Sequence, residues 1–303
     1  MANIPSWVYK LLIVFATIIW GFSFVVMKDV VAVLPPAWLL GMRFLFAGAL
    51  LLVILRKRVM RFCSRKVVTY GFILGVLDFT AFWLQTVGLK HTTPGINAFL
   101  TATYCVLVPF AWWLIARKRP TAFNIVAAIV AVCGIWLVSV SSSGETLSIG
   151  FGEAMTLGCA VAFAAHIVAV SKFAQKCDAL VLTVFQFIAE GALGIVFGAA
   201  TETFPGIAAF TPEIIGQMLF LAVFASVVAF GIQNVSLVHV PPTQASLLLS
   251  LESVFGVVFS ILLYGEQMTL RLVVGFVLIF AAIVISETLP LKEKPCRRKT
   301  TSS

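Results

Sequence analysis

QTVGLKHTTPGINAFLTATYCVLVPFAWWLIARKRPT, residues 85–121, and QNVSLVHVPPTQASLLLSLESVFGVVFSILLYGEQMT, residues 233–269, read as copies of one another. At a constant offset of 148 residues, and without a gap, Gln85 meets Gln233, His91 meets His239, Pro94 meets Pro242, Tyr104 meets Glu252 and Thr121 meets Thr269. Internal symmetry in a hydrophobic chain is the sequence trace of a transporter fold built from repeats. The copy extends outward from this stretch. MRFLFAGALLL from Met42 aligns with FQFIAEGALGI from Phe185, setting Arg43 on Gln186, Ala47 on Glu190 and Gly48 on Gly191. The small, polar run Ser139–Gly144 separates the halves.

Composition supplies the medium. Of 303 residues, 61% are hydrophobic and 11% are charged, against about 25% charged in a soluble domain. Such a chain cannot solvate its own surface, so the surface is lipid. Apolar runs long enough for about 30 Å of hydrocarbon fall at 8–27, 37–55, 67–89, 94–115, 121–140, 150–172, 179–200, 213–237, 241–264 and 271–289. The predicted fold is an all-α polytopic membrane protein with ten transmembrane helices as two inverted five-helix repeats. Residues 1–140 form the first repeat, 141–149 the linker, 150–289 the second repeat and 290–303 a basic tail. Five helices per repeat is an odd number, so the second begins on the opposite side of the membrane and a pseudo-two-fold axis lies in the membrane plane.

The net charge of +9 is a topology signal rather than a nucleic-acid footprint. With the N-terminus inside, seventeen Lys and Arg fall on the inner side and three, Lys28, Lys90 and Arg271, on the outer. The positive-inside bias places both termini in the cytoplasm. The first apolar run lacks a signal-peptide cleavage site and reads as a retained helix. The six cysteines show no metal-ligand spacing, and no cofactor is expected. HExxH, GxSxG and P-loop patterns have no usable context, so an intramembrane enzyme is a remote alternative and direct ATP drive is unsupported.

WGFSF at Trp20–Phe24, the NAFLTATYCVLVPF run from Asn97 and SLESVFGVVFSILLYGEQMT from Ser250 to Thr269 resemble the EamA-type exporters of the drug/metabolite transporter superfamily. The resemblance covers nearly the whole chain. It implies ten helices in a bacterial cytoplasmic (inner) membrane, and export of amino acids or other small metabolites. It also implies a cavity lined by helices one to four and six to nine, with five and ten peripheral. The chain departs from the pattern in carrying Arg117-Lys118-Arg119 where the second half has Gly265-Glu266-Gln267, a loop position.

Ionisable residues inside spans are expensive, about 2.5–3.5 kcal/mol each on insertion scales, and mark pathways by default. Arg43, Asp78, Glu190 and Glu252 are such residues. Glu252 lies about 16 Å into helix nine at 1.5 Å per residue, with Tyr104 as its repeat partner across the axis. Asp78 and Gln85, seven apart, share one face of helix three, and Gln85 is mirrored by Gln233. Asn97, Thr101 and Tyr104 form an i, i+4, i+7 stripe on helix four. Ser246, Ser250 and Ser253 make the matching stripe on helix nine, read as close helix packing. Trp20 sits deep enough in helix one to face a cavity. Arg43 either snorkels to the outer interface or holds a carboxylate. The substrate-binding candidates are therefore Trp20, Arg43, Asp78, Gln85, Asn97, Thr101, Tyr104, Glu190, Gln233 and Glu252. Glu252, Asp78 and His166 are the candidates for proton coupling. Trp112 and Trp113 read as an interfacial belt, and Gly71/Gly75 and Gly194/Gly198 as packing sites.

Three buried acids against one arginine disfavour phosphates and dicarboxylates, which need several cations. A zwitterion or a cation fits. The expected function is secondary export of amino acids or amino-acid-like compounds by alternating access. The alternative is proton-coupled efflux of hydrophobic organic cations. The expected partners are the substrate, protons and the lipid bilayer, with no nucleic acid; the oligomeric state stays open.

Overall fold

The computed structural model describes residues 5–116, 119–139, 149–174, 176–236 and 248–288. Arg117, Lys118, His239, Pro242, Ser246, most of the expected linker and the basic tail lie outside the described residues. What is described is all-helical: α1 Ser6–Val33, α2 Pro36–Ile54, α3 Arg56–Phe62, α4 Arg65–His91, α5 Pro94–Ala102, α6 Tyr104–Ala116, α7 Ala122–Ser139, α8 Phe151–Phe173, α9 Ala179–Thr201, α10 Pro212–Phe220, α11 Ala229–Ser236, α12 Leu251–Tyr264 and α13 Leu270–Thr288. A π-helical turn, Leu221–Val228, joins α10 to α11.

Among the described residues, seven helical stretches are long and apolar enough to cross a membrane: Trp7–Val33, Pro36–Ile54, Arg65–His91, Pro94–Leu114, Phe151–Val170, Ala179–Thr201 and Pro212–Gln233. Ala122–Val138, Leu251–Tyr264 and Leu270–Ser286 are shorter apolar helices. The chain is a polytopic membrane protein.

The helices close into a ring. α1 packs on α12, α12 on α5, α5 and α6 on α8, α8 on α4, α4 on α9, α9 on α2, α2 on the π-helical turn, and that turn with α11 on α1. Around the ring, helices from before residue 140 alternate with helices from after residue 149. α7 and α13 pack on each other outside it. There Ala127, Ala131, Phe276, Ile279 and Ile283 form an apolar cluster with Phe99, Leu100 and Val106 of α5 and α6.

Glycine sets the closest approaches. A Cβ on Gly194 of α9 would lie 2.6 Å from both Cα and N of Gly41 on α2, and one on Gly71 of α4 would lie 2.5 Å from the Phe185 Cβ. The expected packing roles of Gly71, Gly75 and Gly194 therefore rest on close approach of helix backbones across α2–α9 and α4–α9, while Gly198 makes room for the Trp38 ring. Gly194→Val is expected to cost about 3 kcal/mol, the upper end for overpacking, because the atoms in the way are backbone and cannot rotate aside. Gly216→Ala, with nothing within 4 Å of the added carbon, is the control and is expected to be neutral or slightly stabilising. Thermal unfolding of both variants in detergent checks the pair.

Carboxylates from the second half cap helix N-termini of the first. Pro36 and Pro94 stand at first-turn positions, where their missing N–H is no loss. The amides of Ala37 and Trp38 donate to Glu202 at 3.0–3.3 Å. The Gly95 amide donates to Glu266 at 3.2 Å, and the Thr93 and Ser260 hydroxyls donate to the same carboxylate. A carboxylate at a helix N-terminus also faces the positive end of the macrodipole. Lys28 Nζ donates to the carbonyls of Leu89 at 2.7 Å and Thr92 at 2.7 Å, at the C-terminus of α4.

Candidate functional site

Three irregularities in the ring helices position the polar residues. Between α5 and α6 the backbone tightens at Thr103, whose N–H and hydroxyl both donate to the Leu100 carbonyl. Tyr104 opens the next helix. Ser250 makes a similar turn ahead of α12, its carbonyl taking the Ser253 N–H and hydroxyl, and Glu252 follows in the first turn of α12. The third irregularity is the π-helical turn, a feature frequent at functional sites. There the Ala225 carbonyl accepts the Trp20 indole N–H at 2.8 Å, and Ser226 Oγ points both to Leu221 and to Arg43.

The Tyr104 hydroxyl donates to Glu252 Oε1 at 3.3 Å. Both side chains are half-buried, as are Trp20, Phe163 and Phe230. The rings run in a chain round the ring of helices. Trp20 meets Phe230 at 5.4 Å, Phe230 meets Phe187 at 5.3 Å, and Phe187 meets Phe44 at 5.3 Å. Phe44 meets Phe82 at 5.1 Å, Phe82 meets Phe163 at 5.0 Å, and Phe163 meets Tyr104 at 6.2 Å.

A second polar group is sealed away. Arg43 is 2% exposed, so it does not snorkel to the outer interface. Its Nε donates to Ser226 Oγ at 2.9 Å, and its guanidinium carbon lies 4.7 Å and 5.2 Å from the ring centres of Phe44 and Phe82. Glu190 and Asp78 are within electrostatic reach of it. Asp78, fully buried, accepts from Gln186 Nε2 at 2.6 Å and has His166 Nδ1 at 3.6 Å. Arg43 and its repeat mate Gln186 thus serve the same cluster, while Glu190 sits one turn from Gln186 on α9.

The rest of the predicted set divides. Gln85 Nε2 donates to Thr101 Oγ1 at 3.1 Å, and Thr101 meets Cys159 Sγ at 3.7 Å. Asn97, fully buried, donates to the Gln85 carbonyl and to Thr156 Oγ1 at 2.7 Å. Of the Asn97–Thr101–Tyr104 stripe, two members bond toward α8 and only Tyr104 reaches Glu252. Asp78 and Gln85 share α4 yet serve different neighbours. Gln233 is half-buried near the end of α11, unlike its buried mate Gln85. Trp112 lies under Lys172, with Nζ 5.8 Å from the ring centre, and Trp113 is exposed. Gln186 and Ser226, the repeat mates of Arg43 and Asp78, join the site, and Thr156 and Phe163 join it without having been singled out. Hydroxyl and phenyl side chains are common in buried helices, so only contacts mark Thr156 and Phe163. Among the described residues, no group of His, Cys, Asp and Glu could hold a metal ion.

Comparison with known proteins agrees with this architecture. A crystal structure of another protein superimposes with a TM-score of 0.66 at 17% identity, covering 93% of this chain and 98% of that one, which shows a shared fold. An uncharacterized transporter of Archaeoglobus fulgidus is 29% identical over 268 residues, 88% of this chain and 82% of that protein. The uncharacterized transporter YvbV of Bacillus subtilis is 27% identical over 292 residues, 95% of this chain and 94% of its own. Protein PagO of Salmonella typhimurium is 28% identical over 231 residues, covering 74% and 73%. The model of the EamA-like transporter family matches residues 7–140 and 150–288. The chain belongs to the EamA-like transporter family and is an integral membrane transporter.

Proposed function

We propose that the protein exports small metabolites bearing a protonated amine, amino acids or amino-acid-like compounds first, by alternating access. Ten spans in two inverted repeats, 1–140 and 150–289, would rock against each other about a site between them, with both termini in the cytoplasm of a bacterial cell. The ring of helices supports this reading. Exchanging each helix for its repeat equivalent maps the ring's contacts onto one another: α1 on α12 becomes α8 on α5 and α6, and α4 on α9 becomes the π-helical turn on α2.

One observation carries the substrate class: a half-buried carboxylate, Glu252, touched by the Tyr104 hydroxyl and placed inside an aromatic chain. An ammonium group finds there one charge and several ring faces, worth about 2 kcal/mol or more where desolvated. Arg43 is engaged with Ser226 and the buried acids, so a substrate carboxylate would meet a neutral donor, the Tyr104 hydroxyl. The half-buried Trp20, Phe163 and Phe230 also favour the second reading, efflux of a hydrophobic organic cation. Export from cells or vesicles of a panel of amino acids, amines and lipophilic cations tests both. Efflux of amino acids selects the first reading and efflux of lipophilic cations alone the second. Absence of any efflux removes both.

A further inference from the structure

We infer that Asp78 and Glu190 share one exchangeable proton, charge-balanced by Arg43 and passed on through His166, in a site walled off from Glu252. That the proton is coupled to substrate movement rests on the transport reading above; the proton site itself does not.

Unpartnered atoms carry the inference. Asp78 and Glu190 are fully buried, and His166 is 7% exposed. Among the described residues, no donor reaches Asp78 Oδ1 or either oxygen of Glu190, and His166 Nε2 has no partner. An ionised carboxylate with neither oxygen satisfied, away from water, is among the costliest groups a protein can hold. A protonated carboxyl is neutral and brings its own donor. Glu190 lies within electrostatic reach of both Asp78 and Arg43, so the neighbouring carboxylate is the acceptor at hand.

The charge inventory gives the proton count. The cluster is faced by Arg43 from α2, Asp78 from α4, His166 from α8, and Gln186 and Glu190 from α9. The π-helical turn contributes Ser226 and α1 contributes Met27, both neutral. With both acids ionised and the imidazole neutral, one negative charge is left over. One proton brings the set to neutrality, and two would strand the Arg43 cation. Among the described residues, no group of His, Cys, Asp and Glu here could hold a metal ion in the proton's place.

The transfer step is local. The Asp78 O–H bond breaks and an N–H bond forms at His166 Nδ1, across the 3.6 Å gap. A carboxylate–imidazolium pair remains and the total charge is unchanged. His166, on the neighbouring α8, is then the next carrier of the proton. Phe82 and Phe163, in contact at 5.0 Å, stand in the aromatic chain that leads on to Tyr104 and the Glu252 site. Proton and substrate would therefore occupy separate places.

Infrared difference spectroscopy of the full-length protein in phosphatidylcholine–phosphatidylglycerol membranes, titrated with pH, tests this. The wild type is expected to show the carbonyl stretch of a buried protonated carboxyl, downshifted in D2O. Glu190→Gln and Asp78→Asn should each abolish that component, and Glu252→Gln should leave it in place. Arg43→Gln should roughly double it, because both acids must then be neutral; a purely structural role for these residues would not move the band in that direction. Should Asp78→Asn not fold, the near-isosteric Glu190→Gln and the Arg43→Gln increase decide the matter. A component unchanged in Glu190→Gln overturns the shared proton, whatever the efflux panel shows. A component that behaves as expected beside an empty panel upholds the proton site and removes the transport reading alone.

Discussion

Arg43→Leu is expected to destabilise the protein by about 3–5 kcal/mol, the range for removing one partner of a buried ionic group. The guanidinium is 2% exposed and has two acids within electrostatic reach. Leucine fills part of the space but leaves the carboxyl groups of Asp78 and Glu190 without a cation. The deficit should shrink on going from about pH 8 to about pH 5, because without the guanidinium the pair must hold a second proton, and taking it up costs less at lower pH. Adding Asp78→Asn to Arg43→Leu should recover a part of the loss by removing one of the stranded acids, a non-additivity expected of residues in one network. Detergent-solubilised protein unfolded at the two pH values measures all three. An arginine that merely snorkelled would give a surface-like change within about 0.5 kcal/mol, with no pH dependence.

Glu252→Gln should do the opposite: lower efflux about 10- to 100-fold while leaving stability within about 1 kcal/mol. Among the described residues, the carboxylate's one hydrogen bond is from Tyr104, at 3.3 Å, and the amide oxygen of glutamine can accept the same hydrogen bond. A hydrogen bond from a substrate ammonium to a charged acceptor is worth about 1.5–3 kcal/mol, and 1.4 kcal/mol is tenfold. Tyr104→Phe, removing a neutral donor, should cost tenfold or less. Efflux rates of the compound that passes the panel, set beside unfolding midpoints of the same preparations, check both variants. Unchanged efflux in Glu252→Gln would remove Glu252 from the substrate site.

Much of the architecture is legible in the residues because lipid simplifies the problem. A charged fraction of 11% leaves no alternative to a membrane, and buried backbone then leaves helices as the solution for apolar runs of this length. The offset of 148 residues brings Tyr104 opposite Glu252 before any fold is known, and the structure puts their side chains in contact. The glycine pairs are legible for a similar reason, since small residues let helix backbones approach closely in a membrane. Less legible is the fate of each polar side chain. Asp78 and Gln85 share a helical face by spacing, yet one bonds to Gln186 on α9 and the other to Thr101 on α5. Asn97 and Thr101 belong to Tyr104's stripe, yet they are taken up by Thr156 and Cys159 on α8.

The amino-acid sequence by itself determined the membrane setting, the repeat, the family and the short list of intramembrane ionisable residues. The membrane setting and the short list follow from hydropathy, and the repeat and the family from matching stretches of sequence; each is read along the chain without knowing which helices touch. Only the tertiary structure decided that Arg43 turns inward to Ser226 and the buried acids, that Gln186 and His166 converge on Asp78, and that Glu252 stays half-open beside Tyr104 while Glu190 is sealed. Those pairings join residues as many as 183 positions apart. They depend on which helix stands next to which in the ring, and on the turns at Thr103, Ser250 and Leu221–Val228 that rotate the side chains to meet. Side-chain periodicity tells which residues share a face but not what that face meets.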